Sequence, residues 1–427
     1  MHSDRITELF FLNEQNEQIA NKILDNFFSI LKNDETNFLN LAFHECYTAV
    51  VNKRISDKNF DFTKALSSNL NFKGIMLRLK FIKNFNNRTK FINTSSNYLL
   101  SQYEMNNTLF YPAPSYISLK ISPSKQEKNL CLDILDSAEI SRNYANEIFR
   151  LFSYIKVCQN HYGKIKFNNQ ETLLTGTGSK IYTRTVSDIA LNKGNKVYRF
   201  SHGGERGFFN ERAFEFTEYS LCTKYFTHGY HEQKGLTQFK NLGLSNFENL
   251  HSKFHLNFRQ EPNLKKHNFN KIIYISNSFT HPINKFPNIR PMDTIYKEFQ
   301  SYYLMCLKKI NLPISIKLHP KCLNSANEIK HFTGYQFVSG KMSDLLGKGY
   351  LFAFDTMGSA MVEVLSAGEC VIFWNQGIRK TNKYFESLKK NVFIVEGQKL
   401  NFDYRLIKDF FDNNQVERTK FASKFYE

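Results

Sequence analysis

Residues 349–374 read GYLFAFDTMGSAMVEVLSAGECVIFW, and this stretch decides how the chain folds. An apolar run, Tyr350–Phe354, stops at the polar turn Asp355-Thr356-Met357-Gly358-Ser359. A helical pattern, AMVEVLSAGE, follows and leads into a second apolar run, Cys370–Trp374. Strand, turn, helix and strand in that order are the repeating unit of a parallel α/β sheet.

The same rhythm extends in both directions. Upstream lie the β-rich run KIIYISNS (271–278), the helix TIYKEFQSYYLMCLKKI (294–310), the strand LPISIKLHPK (312–321) and a further strand, GYQFVSG (334–340). Downstream come the strand NVFIVEG (391–397) and a closing helix, RLIKDFFDNN (405–414). An earlier series runs from ETLLTGTGS (171–179) through the helix KIYTRTVSDIALNKG (180–194) to the strand NKVYRFSHGG (195–204), a polar loop and the strand LCTKYFTHG (221–229). Before it, residues 1–160 read as mainly helical. Ile19, Ile23, Leu24, Phe27, Phe28 and Leu31 form one stripe, Phe38–Val51 reads similarly, and another helix is predicted over Ser137–Val157. The Pro-punctuated YPAPSYISLKISP (111–123) breaks the helical pattern. The expected organisation is a helical N-terminal region (1–160), a Rossmann-like unit (161–262) and a second Rossmann-like unit (263–427), the two α/β units facing a cleft.

Composition sets limits. A chain of 427 residues with 41% hydrophobic and 15% aromatic content has ample material for two or three packed domains and is not a disordered chain. Lys and Arg outnumber Asp and Glu 57 to 39, a net charge of +18 that attracts polyanions without choosing among nucleic acid, anionic lipid, acidic glycan and nucleotide phosphate. The basic residues are scattered, with small clusters at Lys265–Lys266 and Lys389–Lys390, and no nucleic-acid-binding signature accompanies them. The seven cysteines (Cys46, Cys131, Cys158, Cys222, Cys306, Cys322 and Cys370) form no CxxC pair, which points to reduced thiols. The first residues do not read as a signal peptide, and no run reaches the roughly 18 apolar residues of a membrane span. A cytoplasmic protein is expected, with any membrane contact peripheral.

Three motifs stand at predicted strand ends, where open parallel sheets bind ligands. The first is Ser201-His202-Gly203-Gly204-Glu205-Arg206-Gly207. Its glycines permit close backbone approach, and His202 and Glu205 are both capable general bases. The plainer reading is a strand-end turn with ordinary surface side chains. The second is Ser315-Ile316-Lys317-Leu318-His319-Pro320-Lys321, where His319 can donate to a departing phosphate and Lys317 adds positive charge, or His319 simply caps the strand. The third is the 355–359 turn itself. Thr356, Gly358 and Ser359 stand where hydroxyls and free N–H groups of a helix start can hold phosphate, or where they merely cap the helix. Glu363, one turn further on, could reach a ribose or remain solvated. Two weaker candidates are Thr177 in Thr175-Gly176-Thr177-Gly178-Ser179, on the acceptor side, and Ser276 with Ser278, on the donor side. The glycine spacing in 175–179 fits neither a dinucleotide fingerprint nor a P-loop. His228 and His231 lack a third ligand with zinc spacing, and no DxD pair stands at a strand end, so no metal is expected.

HGG after a strand, then LHP, then a strand–DTxGS–helix resembles the GT-B transferases of bacterial capsule and lipopolysaccharide loci. These include polysialyltransferases, Kdo transferases and, more distantly, the CDP-glycerol glycerophosphotransferases of teichoic acid synthesis. The segment HGGERGFFNERAFEFTEYSLCTKYFTHG (202–229) is similar to the HGG…E…TxGW region of a transferase family found beside nonulosonic acid genes, with Gly229-Tyr230 in place of Gly-Trp and GGER in place of three glycines. The resemblance spans about residues 170–380. It implies a GT-B fold and an inverting, metal-independent transfer from a CMP-activated ulosonic acid to a surface glycan. His202 or Glu205 would be the base, with Gly203, Gly204 and Arg206 on the acceptor side. His319, Thr356 and Ser359 would stand at the leaving phosphate. The implied partners are a nucleotide-sugar donor and an anionic or lipid-linked glycan acceptor, with contact at the inner membrane face and none with nucleic acid. A CDP-polyol phosphotransferase is the alternative within the resemblance, and a basic nucleic-acid-binding protein the alternative outside it.

Overall fold

The computed structural model describes residues 2–56, 90–93, 108–111, 114, 122–167, 171–201, 208–209, 212–227, 246–249, 268–277, 293–319, 326–377, 381, 385–416 and 418. In chain order the elements are α1 (His2–Asn33), α2 (Phe38–Ser56), β1 (Lys90–Asn93), β2 (Thr108–Tyr111), α3 (Lys125–Ser137), α4 (Ala145–Tyr162), β3 (Thr172–Thr175), α5 (Ile181–Asn192), β4 (Lys196–Phe200), α6 (Arg212–Tyr219), β5 (Lys224–Thr227) and β6 (Asn246–Asn249). There follow β7 (Lys271–Ile275), α7 (Asp293–Leu307), β8 (Ile314–Lys317), α8 (Ala326–His331), β9 (Gln336–Phe337), β10 (Tyr350–Phe354), α9 (Ser359–Ser366), β11 (Cys370–Asn375), β12 (Phe393–Glu396) and α10 (Tyr404–Asn413).

Two six-stranded sheets result, ordered β2-β1-β3-β4-β5-β6 and β12-β11-β10-β7-β8-β9, with every recorded pairing parallel. Read from its first strand, the second sheet has the 3-2-1-4-5-6 order of a Rossmann unit, with its switch point between β7 and β10. The first sheet begins 2-1-3-4-5, and its switch point falls between β1 and β3. This is the paired Rossmann-like α/β architecture expected of a GT-B chain.

The apolar runs explain why the second sheet is covered on both faces. Side chains alternate along a strand, so a run without polar interruptions must bury both sides. Ile272 and Tyr274, Leu351 and Ala353, and Cys370, Ile372 and Trp374 enter one buried cluster. Their neighbours Ile273 and Ile275, Phe352 and Phe354, and Val371 and Phe373 enter the other. On the first face Trp374 packs between Phe299 and Tyr303, each ring centroid 5.5 Å away, which docks α7 against the sheet. In the first half, α1, α2, α4 and α5 share one core with the sheet, and Phe43 stacks obliquely on Phe216 of α6 at 4.5 Å.

Helix α1 joins the halves. Ile6 and Leu9 lie in the core of the second, Ala20 to Phe27 in the core of the first. A 32-residue helix is about 48 Å long, enough to span both. The other described crossing runs through Phe208 and Phe209, which pack in the cluster that includes Met357 and Met361. Phe209 forms an isolated bridge with Thr381, and its ring lies 5.8 Å from Phe385.

Among its described residues the 1–160 region is mainly helical, as expected, and it also supplies β1 and β2, two of the six strands of the first sheet. KFIN and TLFY lack the strand–turn–helix context that marks the equally short TLLT and ISIK. The helix predicted over 137–157 starts later than expected, at Ala145 of α4, because α3 ends at Ser137, Glu139 adopts φ 57° and a single 3-10 turn, Arg142–Tyr144, precedes α4. The polar loop expected after residue 204 contains α6, RAFEFTEY, whose Glu215 and Glu218 are buried rather than solvated. A cavity of about 270 Å³ lies in the helical layer, between the α1–α2 turn and α3, and is lined by Asn33, Asp34, Asn129 and Asp133 among others. No described helix is long and apolar enough to cross a membrane.

Candidate functional site

Register places the candidate donor-side residues on one edge. Phe354, Ile275 and Lys317 stand in a single row across β10, β7 and β8. The next residues, Asp355, Ser276 and Leu318, therefore leave the sheet together at its carboxyl edge, with β8 and β10 two strand spacings apart, about 10 Å. This edge is the one at which the switch point opens.

Helix α9 starts at Ser359 with Gly358 as its N-cap, and no side chain caps it. The capping reading of Thr356 and Ser359 is therefore not what the structure contains. A helix start without a side-chain cap keeps its first N–H groups for a ligand or water, where the helix dipole favours an anion. Ser359 is exposed, and Gly358 and Thr356 are half-buried.

Lys317 and Glu363 approach one another from β8 and α9. Burial pushes the Glu363 carboxyl up to about 7, and Lys317 opposes that rise. Burial lowers the Lys317 ammonium, while Asp344 and Glu363 hold it up. The Lys317 Nζ also donates to the Gly340 carbonyl at 2.6 Å. His319 is half-buried, two residues beyond Lys317. The edge thus presents an ammonium, an imidazole and an uncapped helix start, a set suited to phosphate.

Two of the expected contacts are turned inward. Ser276 is buried, and its hydroxyl donates to the Lys317 carbonyl at 3.4 Å, so it ties β7 to β8. The Thr356 hydroxyl donates to Asp355 Oδ1 at 3.1 Å. Asp355 stands in the turn that the sequence offers as an Asp/Thr/Ser helix cap, and it does not cap α9. It is buried and also accepts from Tyr274 at 2.6 Å and Tyr296 at 3.0 Å. Burial raises its carboxyl to about 6 against the pull of these three bonds. Only the tertiary fold brings Tyr274, Tyr296 and Asp355 together.

On the first sheet, the 175–179 loop leaves β3 at the other switch point. Its Thr177 hydroxyl donates to Glu218 Oε1 at 2.6 Å, and the Gly178 N–H donates to Glu218 Oε2 at 3.1 Å. Gly178 is required here, since a Cβ would run into the Thr217 carbonyl oxygen. Thr177 is therefore a loop-fixing residue. His202, Gly203, Gly204, Glu205, Arg206 and Ser278 lie outside the described residues, as do His228 and His231. The first motif is bracketed by Ser201, whose N–H pairs with the Phe226 carbonyl of β5 in the first half, and by Phe208, buried in the second.

Sequence reasoning missed Glu45 of α2. Its Oε1 accepts from the Ile181 N–H at the start of α5 at 3.0 Å, and its Oε2 is buried without a partner. Burial raises its carboxyl from 4.5 to about 7, opposed by Lys180. Between those values the folded protein holds a proton that the unfolded chain releases. The stability linked to this group is therefore full below pH 4.5 and is lost as pH rises through 7. Glu45→Gln should melt above the parent protein at pH 8, by about 1–3 kcal/mol, and lose that advantage at pH 4, as thermal denaturation at the two pH values would show.

No family model matches the chain, and no curated protein matches it. Solved structures do. UGT71G1 of Medicago truncatula complexed with UDP-glucose is 9% identical, with 82% of this chain and 90% of that one covered and a TM-score of 0.40. The UDP-GlcNAc 2-epimerase of Neisseria meningitidis bound to UDP-GlcNAc is 13% identical, with 79% and 94% covered and a TM-score of 0.40. A UDP-N-acetylglucosamine 2-epimerase from Listeria monocytogenes is 13% identical, with 79% and 91% covered and a TM-score of 0.39. These are likenesses of overall architecture, and the site described above stands on this chain's own residues.

Proposed function

We propose that the chain is a GT-B glycosyltransferase that inverts the anomeric carbon of a CMP-activated ulosonic acid as it moves that sugar onto a bacterial surface glycan. The observation that carries this reading is the carboxyl edge of the second sheet. There Lys317, His319 and the uncapped start of α9 stand within about two strand spacings of each other at the switch point. Each of these groups favours a phosphate.

In the proposed reaction an acceptor hydroxyl oxygen attacks the anomeric carbon. The new C–O bond forms as the bond from that carbon to the phosphate oxygen breaks, and CMP leaves with the electron pair. The hydroxyl proton passes to His202 or Glu205. His319 and Lys317 stabilise the charge growing on the departing phosphate, with the N–H groups of α9 and Ser359 beside it. These donors take the part that a divalent cation plays in other transferases, and Glu363 faces the ribose. The basic surface suits an anionic or lipid-linked acceptor presented at the inner membrane face.

A thermal-shift screen of free nucleotides tests this. Ligand present at 100 times its Kd should stabilise the folded state by about 2.7 kcal/mol. CMP is expected to raise Tm most. A larger rise with UDP would move the donor to another nucleotide class, and no rise with any nucleotide would sink the reading. Product mass separates transfer of a sugar from transfer of a polyol phosphate.

A further inference from the structure

We infer that Tyr296 and Asp355 are positioning residues that fix the Thr356 hydroxyl, and with it the turn from which α9 presents its N–H groups to the nucleotide phosphate. The inference rests on the nucleotide-site reading above and deepens it.

Three separate segments meet at one carboxylate. Tyr274 comes from β7, Tyr296 from α7 and Thr356 from the turn after β10. Tyr274 and Tyr296 are fully buried, as is Gln300, one turn along α7 from Tyr296. Asp355 Oδ2 accepts from the Tyr274 hydroxyl at 2.6 Å, and Oδ1 accepts from Tyr296 at 3.0 Å and from Thr356 at 3.1 Å. The Tyr296 and Thr356 hydroxyls are themselves 3.3 Å apart. These contacts close a three-membered polar ring between Tyr296, Asp355 Oδ1 and Thr356.

A threonine hydroxyl has one proton. With that proton on Asp355 Oδ1, the Thr356 oxygen has none left for a phosphate oxygen, which accepts and does not donate. Thr356 therefore serves the phosphate indirectly, by setting the direction in which the turn enters α9. A buried carboxylate is costly unless its lone pairs are satisfied, and the Tyr296 and Thr356 hydroxyls supply the two bonds that Asp355 Oδ1 accepts. Loss of any member frees the turn. Because α7 supplies one member, the ring also ties the turn to an element more than fifty residues away in sequence.

The test is a double-mutant cycle read by calorimetric titration of CMP and of UDP. Tyr296→Phe removes one hydroxyl of the ring and Thr356→Val another, and each is expected to weaken nucleotide binding about fivefold to tenfold. The double variant is expected to bind no more weakly than the worse single variant, since both changes break the same ring. Thr356→Ser should restore the parent affinity. Tyr303→Phe is the structural control. That hydroxyl donates to the Ile372 carbonyl at 3.4 Å in the same core, and its loss should lower Tm without moving the Kd. Tyr296→Phe behaving like Tyr303→Phe, or effects that multiply across the cycle, would overturn the inference while leaving the nucleotide site in place. A parent protein that binds neither nucleotide would overturn the site and the inference together.

Discussion

His319→Ala is expected to lower kcat about 10²- to 10³-fold while leaving Tm near the parent value. Removal of one preorganised donor to a developing oxyanion has an effect of that size, about 3–4 kcal/mol of transition-state stabilisation. The imidazole stands two residues past Lys317, just beyond β8, at the carboxyl edge of the sheet from which the turn into α9 also leaves. In the proposed reaction charge accumulates on the phosphate as the sugar leaves, so the loss should fall on kcat more than on KM. His319 is half-buried, and its truncation removes little packing. Release of CMP from the proposed donor, followed at saturating substrate, reads the effect. Unchanged turnover would remove His319 from the reaction.

Arg199→Leu is expected to cost about 3–5 kcal/mol of stability, read from the denaturant midpoint. Arg199 is fully buried on β4. Its Nη1 donates to the carbonyls of Ser220 at 2.6 Å and Glu218 at 2.8 Å, its Nη2 to the Ser187 hydroxyl at 3.2 Å, and its Nε to the Thr175 hydroxyl at 3.1 Å. The end of a helix leaves its last carbonyls without intrahelical partners, and α6 is capped by this guanidinium. Arg184 assists, donating to the Thr217 carbonyl at 2.8 Å. Burial, and then the proximity of Arg199, lowers Arg184 to about 9. Leucine fills part of the volume but leaves several buried carbonyls unsatisfied. Arg199→Lys should recover only part of the loss, because an ammonium has three donors and no planar fork. A cost below about 1 kcal/mol would show that the carbonyls find other partners. The consequence reaches the first switch point, because α6 also carries Glu218, which holds Thr177 and Gly178.

Much of the architecture was legible in the sequence because parallel strands buried on both faces are written as unbroken apolar runs. KIIYI, YLFAF and CVIFW could be located without knowing their neighbours, and the Asp-Thr-Met-Gly-Ser turn marked where one such strand meets its helix. The carboxyl-edge placement of Lys317, His319 and the 356–359 turn follows from that reading once strand order is known. The strands KFIN and TLFY were not legible, since no strand–turn–helix rhythm flanks them as it flanks the equally short TLLT and ISIK. Helix α6 was obscured for a different reason. Its charged residues look solvated in the sequence, whereas the fold buries Glu218 against the Thr177 hydroxyl and Gly178 N–H of the loop after β3.

By itself the sequence determined the alternation of strands and helices and which segments carry polar strand-end turns, because both depend on local periodicity. Tertiary structure alone decided the order of the strands and the partner of each buried charge. It placed Tyr274, Tyr296 and Thr356 around Asp355, and Arg199 under the end of α6. Those pairings join residues far apart along the chain, and whether a polar side chain faces solvent or a buried partner depends on the three-dimensional neighbours that desolvate it.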